Sequence, residues 1–104
     1  MSSFLDPPET KGRYSGKNNL RWQSFICNAP EAAAVSVCGG FNNWDPAANP
    51  MEKQVDGNWT AMAQLTHGHH LYVFMVDGKP VLDPRAQGIG RNEKNERVSL
   101  VLVS

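Results

Sequence analysis

The sequence predicts an all-β domain, a single antiparallel β-sandwich. Three observations carry that expectation. Short apolar runs recur at regular spacing after Leu20, Gly, Pro and Asp-Gly signals separate them, and no window holds an amphipathic helical period with caps. A chain of 104 residues builds one core without staples, and 40% hydrophobic against 19% charged residues is ordinary globular composition.

Residues 1–19, MSSFLDPPETKGRYSGKNN, carry Pro-Pro, Lys-Gly and Ser-Gly pairs and no apolar period. They read as an N-terminal extension or linker, with Tyr14 part of a draped segment. The domain is expected over 20–104. Its strands are expected at LRWQSFIC, AAVSVC, NWTAMAQL, HLYVFMV, a short PVL and RVSLVLV. Asp56-Gly57 and Asp77-Gly78 lie between apolar runs and are hairpin signals, because type I′ turns need positive φ. Ala29-Pro30, Gly39-Gly40, Asp45-Pro46 and Asp83-Pro84 mark the other breaks.

Alternation assigns faces. Trp59, Ala61, Ala63 and Leu65 share one side of their strand and Thr60, Met62 and Gln64 the other, so that strand is half buried with Trp59 in the core. In HLYVFMV the inward set is Tyr72, Phe74 and Val76, yet Leu71, Val73 and Met75 opposite are apolar too. RVSLVLV repeats the pattern, with Val98, Leu100 and Leu102 against Ser99, Val101 and Val103. A two-layer sandwich is polar outside, so part of this outer surface is expected to be covered. The candidates are the N-terminal 19 residues, a second copy of the chain, or a neighbouring domain docked on Leu71, Val73 and Met75.

Ten basic and ten acidic side chains balance, so no field concentrates nucleic acid or anionic lipid. The N-terminus lacks a signal peptide's apolar core and no stretch is long enough to span a bilayer, which makes the cytoplasm the expected location. Cys27 and Cys38 fit reduced, buried thiols rather than a disulfide or metal site, with Cys27 inward and Cys38 near a turn.

The segment FICNAPEAAAVSVCGGFNNWDPAANPMEKQVDGNWTAMAQLTHGHHLYVFMVDGKPVLDP is similar to family 48 carbohydrate-binding modules. These are the early-set domains of the AMP-activated protein kinase β subunit and of the N-terminal regions of isoamylases and glycogen-branching enzymes. The ordered set of Phe, Ala-Pro, FNNWDP, Pro-Met, Asp-Gly-x-Trp, Tyr-x-Phe and VDG is long and specific. The resemblance spans residues 22–103. It implies an immunoglobulin-like early-set β-sandwich that binds α-glucans such as glycogen or maltooligosaccharide, or that supports an amylase-type catalytic domain.

Carrying the family's sugar contacts over changes that expectation. Glycogen-binding members place a Trp directly before the Ala-Pro of the first hairpin; here it is Asn28. A second Trp stands two residues after the VDG turn, where this chain has Pro80, and the Lys of the Y-K-F strand corresponds to Val73. The Asn contact before the last strand is matched to Asn95, and the inserted Leu to Ile89. At ~25 cal/mol per Å² of apolar surface, each platform is worth a few kcal/mol at most. Every ~1.4 kcal/mol is tenfold, so losing both is expected to leave a degenerate site. Asn28 and Lys79 remain as hydrogen-bonding groups, which add little net against water. Trp22, on the same outer strand face as Asn28, is read either as a sugar platform or, preferentially, as the cover over Val73 and Met75.

Other constellations are weaker. His67 and His69 of THGHH lack a third metal ligand and flank a turn. Asp77 and Asp83 are spaced like a carboxylate pair but sit in turn motifs, where Asp accepts from its own backbone amides. No motif argues for catalysis or a cofactor. The stretch GGFNNWDP reads as a structural corner, with Asn42, Asn43 and Asp45-Pro46 fixing the turn and Phe41 and Trp44 anchoring it into the sandwich. Two functions follow. One is a non-catalytic α-glucan module with a degenerate site, using Trp22, Asn28, Lys79 and Asn95. The other is a protein-interaction module built on the apolar outer face. The chain is also compatible with an accessory domain of a longer glycoside hydrolase-type enzyme.

Overall fold

The computed structural model describes residues 20–104. The expected extension over 1–19, with Tyr14, lies outside the described residues. All six expected runs are strands: β1 (Arg21–Asn28), β2 (Val35–Gly39), β4 (Asn58–Leu65), β5 (Gly68–Val76), β6 (Lys79–Val81) and β8 (Arg97–Val103). Two more were not anticipated, β3 (Glu52–Lys53) and β7 (Gly88–Arg91). The first is two residues long and exists through its pairing with β4; the second alternates glycine, which depresses strand propensity. Gly90 has a positional reason: a β carbon there would lie 2.5 Å from Leu71 Cδ2, which crosses over β7.

Two antiparallel sheets face each other. One runs β1-β4-β3; the other runs β2-β5-β8-β7, with β6 pairing the end of β5. This is the immunoglobulin-like early-set sandwich that the resemblance implies. No helix of the described residues is long and apolar enough to cross a membrane.

The core between the sheets follows the expected phasing. Phe25, Val37, Trp59, Leu65, Tyr72 and Phe74 are buried, and Phe25 meets Tyr72 edge-on at 5.0 Å between ring centroids. Phe41 stacks on Phe25 at 5.9 Å, so it does anchor the corner after β2 to the core. The Trp59 indole donates to Ala29 O at 2.8 Å. One polar link crosses this interior: the Tyr72 hydroxyl donates to Asp83 Oδ2 at 2.6 Å, and Asp83 N donates to Ser99 Oγ at 2.8 Å. Burial pushes the Tyr72 phenol well above its ordinary value, and the carboxylate acceptor reinforces the shift.

A second apolar cluster sits on the outer face of the five-stranded sheet. Cys38, Val73 and Val98 are buried there, with Trp44, Leu71, Met75 and Leu82 packed against them. Among the described residues, Trp44 after β2 and Leu82 after β6 pack over part of this face, while Leu102 stays 48% exposed. This corrects the role given to Trp22. It stands on β1 in the other sheet, 64% exposed, paired in register with Gln64, and cannot reach Val73 or Met75. Alternation shows which way a strand residue points, but only pairing shows which sheet the strand joins. The two thiols are free and lie in different clusters, Cys27 in the core and Cys38 outside the five-stranded sheet. Burial raises both thiol pKa values, with the Asp83 charge adding for Cys27 and a Ser36 hydrogen bond opposing for Cys38.

Candidate functional site

The corner GGFNNWDP begins as strand β2 ends. Asn42 holds it: Oδ1 accepts from Gly39 N at 3.0 Å, while Nδ2 donates to Val37 O at 3.0 Å and Asn49 Oδ1 at 2.7 Å. Trp44 N donates back to Gly39 O at 2.9 Å, and Asp45 Oδ1 accepts from Ala47 N at 2.9 Å. Between these bonds, Asn43 and Trp44 are both left-handed, at φ 59° and 57°. Asn tolerates that region; a bulky aromatic does so rarely, at a cost of about 1–3 kcal/mol. The turn thereby lays the Trp44 ring against the outer cluster of Cys38, Val73 and Val98.

Beside that ring is a groove of about 540 Å³. Its strand-borne floor is Cys38, Val73, Met75 and Val98. Trp44 and Pro46 wall it from the β2 side, Pro80 and Leu82 from β6 onward, and the turn between β7 and β8 forms a polar rim. Asn92 shapes that rim. Its Oδ1 accepts from Lys94 N and Glu96 N, both at 2.9 Å, and its Nδ2 donates to Glu96 Oε1 at 2.9 Å. Arg91 Nη1 donates to Asn95 O at 2.8 Å, and Asn95 takes the left-handed position at φ 65°. The rim side chains Glu93, Lys94, Glu96 and Arg97 line the groove with balanced charge. An aromatic wall, an apolar floor and a neutral polar rim suit a ligand with apolar faces and hydroxyl edges.

Over residues 20–104 the sequence matches the family described as the glycogen recognition site of AMP-activated protein kinase. The chain belongs to this family of carbohydrate-binding modules. The module is 40% identical over 63 residues to the 1,4-alpha-glucan branching enzyme GlgB of Halothermothrix orenii, covering 60% of this chain and 10% of that one. Against GlgB of Aquifex aeolicus it is 36% identical over 70 residues, or 64% and 11% of the two chains. A shorter match to GlgB of Photobacterium profundum is 51% identical over 35 residues, 34% of this chain and 5% of that one. The matched stretches thus cover 5–11% of the length of these enzymes.

Placing the expected residues on the module divides them. Val73 and Pro80, which the resemblance matches to a Lys and a second Trp, both line the groove. Lys79 and Asn95 are exposed and flank it in sequence, beside Pro80 and between Lys94 and Glu96, without lining it. Asn28 ends β1, next to the loop that Asp77 ties to the β5–β6 turn by accepting from Ala33 N and Ala34 N, each at 2.9 Å. Trp22 and Asn28 share the outward side of β1 as expected, away from the groove. Ile89 is 53% exposed on β7.

The carboxylate pair is occupied structurally. Asp83 accepts from Arg85 N at 2.8 Å as an Asp turn should, besides holding Tyr72. Asp77 instead staples another loop rather than its own turn. In THGHH, His70 Nε2 pairs with Thr66 O at 2.8 Å and its ring meets Phe41 edge-on. No group of three or more His, Cys, Asp or Glu gathers as metal ligands among the described residues. The residue that sequence reasoning missed at the groove is Trp44. Its positive φ carries no sequence signal, because a tryptophan gives no reason to expect it.

Proposed function

We propose that this chain is a non-catalytic α-glucan-binding module whose sugar seat is the groove beside Trp44. One observation carries the reading: Val73 and Pro80, where the family resemblance places sugar contacts, line the same groove as an aromatic ring. In this reading the Trp44 face stacks on a pyranose, and Lys94, Glu96 and Arg97 meet hydroxyls, with Lys79 and Asn95 at the margins. One platform replaces two. Each stacked ring is worth a few kcal/mol at ~25 cal/mol per Å², so binding is weak, about millimolar for a short oligosaccharide. The much longer branching-enzyme relatives suggest the setting: a module that holds glucan for a catalytic domain, in a cytoplasmic glycogen or starch pathway.

Affinity electrophoresis in amylopectin gels tests this. The native chain should be retarded, Trp44→Ala should lose most of the retardation, and bovine serum albumin should run unchanged. A native chain that migrates identically with and without amylopectin would overturn the proposal and leave a protein-interaction role for the fold.

A further inference from the structure

The outward face of the three-stranded sheet carries exposed apolar side chains that neither the core nor the groove uses. Trp22 is 64% exposed, Met62 56% and Ile26 37%. In register, Trp22 lies opposite Gln64, Ser24 opposite Met62 and Ile26 opposite Thr60. The three apolar groups therefore zigzag across the β1–β4 ladder, with diagonal neighbours ~7–8 Å apart. Between them stand only hydroxyls and a carboxamide. A shallow depression of about 310 Å³, lined by Asn49, Pro50, Glu52, Thr60 and Met62, continues the face toward β3.

We infer that this face is a second α-glucan contact surface, centred on Trp22 and independent of the groove. The inference takes its ligand class from the proposed function; its own ground is the chemistry of the face. Outward positions on β1 and β4 hold no ionisable side chain, and Glu52 enters only from the two-residue β3. An anionic polymer or lipid surface needs clustered Lys or Arg, which the ladder lacks. A stable protein interface buries ~800 Å² per partner around a broad apolar centre, whereas the apolar groups here form a narrow row broken by hydroxyls and amide. A neutral polyhydroxylated chain fits such a row: ring faces stack on indole and thioether while hydroxyls meet Gln64 and Ser24. The groove lies on the opposite sheet, so one module engages two glucan segments at once. A branched polymer supplies both segments, and linked contacts multiply affinity without any new interaction.

The chain has three tryptophans, and each gives one indole N–H signal in a proton–nitrogen correlation spectrum. Trp59 is the internal control, because its indole is committed to Ala29 O at 2.8 Å. Trp44 reports the groove and Trp22 the second face. On titrating the full chain with maltoheptaose, the Trp22 signal is expected to shift saturably, and to do so unchanged in Trp44→Ala. Trp22→Ala should lower apparent affinity for amylopectin about tenfold or more, through lost multivalency, while maltoheptaose still shifts Trp44. A Trp22 signal that stays put while Trp44 moves overturns the second surface and leaves the groove standing. The reverse pattern sinks the groove and keeps the second surface; stillness in both sinks both. A Trp22 signal that shifts with protein concentration alone, or only when residues 1–19 are deleted, identifies another copy or that segment as the occupant and also overturns the inference.

Discussion

The left-handed Trp44 makes a prediction that runs against normal propensity. Trp44→Ala and Trp44→Gly both remove the ring from the outer cluster. The half-buried indole covers about half of a ~200 Å² aromatic surface, so at ~25 cal/mol per Å² its packing contributes about 2–3 kcal/mol. Both variants lose that. They differ in backbone: a left-handed β carbon costs about 1–2 kcal/mol, which alanine keeps and glycine sheds. Glycine's greater freedom in the unfolded chain offsets about 0.5–1 kcal/mol of the gain. Trp44→Gly is therefore expected to be more stable than Trp44→Ala by about 0.5–1 kcal/mol, although glycine usually destabilises. Urea unfolding followed by Trp59 fluorescence measures it. With m near ~1–2 kcal/mol/M, the glycine midpoint should lie about 0.5 M above the alanine one. Alanine matching or exceeding glycine would refute the strained-platform account, since the φ of 57° could not then be what the turn enforces.

Three further outcomes are expected. Tyr72→Phe leaves Asp83 Oδ2 without its buried donor and should cost about 1–3 kcal/mol in thermal or chemical unfolding. The phenol's folded pKa is raised above the unfolded value of 10.0, so its contribution is whole below pH 10.0 and declines as pH rises beyond it. The native chain should accordingly lose stability above that pH more steeply than Tyr72→Phe. Asp77→Ala should destabilise by about 0.5–1.5 kcal/mol by breaking two solvent-exposed bonds to loop amides, while Asp77→Asn, which still accepts and tolerates positive φ, should cost less. Ellman's reagent should label Cys27 and Cys38 slowly in the native chain and rapidly in urea, because burial suppresses both thiolates.

What was legible in the sequence was whatever depended on local period. The six runs, the inward set of Trp59, Tyr72 and Phe74, and the double-sided apolarity of β5 and β8 all follow from alternation against turn signals. The two strands that escaped notice are short or glycine-bearing, and they are defined by partners far along the chain. Sheet membership was likewise hidden. Trp22 and Val73 look equally outward in one dimension, yet pairing sends β1 to β4 and β5 to β2 and β8, so they end on opposite sides of the molecule. The resemblance supplies positions, and at those it matches to sugar contacts this chain has Asn28, Val73 and Pro80. That a different aromatic stands beside two of them was not readable, because it depends on the dihedral angles of Asn43 and Trp44.

Corner and platform are not alternatives for GGFNNWDP. A relaxed turn after β2 would leave Trp44 on the generic side of the chain, free to fold back on Phe41 and the core. Asn42 spends its whole amide on Gly39, Val37 and Asn49, and these bonds are what hold the next two residues left-handed. The indole then has one apolar surface within reach, the outer cluster of Cys38, Val73 and Val98. A lysine at position 73 would put a charge beneath that ring, whereas the valine here packs against it. Residues 44 and 73 are thus coupled through one contact. Val73→Lys alone should destabilise the chain by more than the same change in a Trp44→Gly background, a difference that a double-mutant cycle in urea reads directly, and additivity would break the link between the two sites.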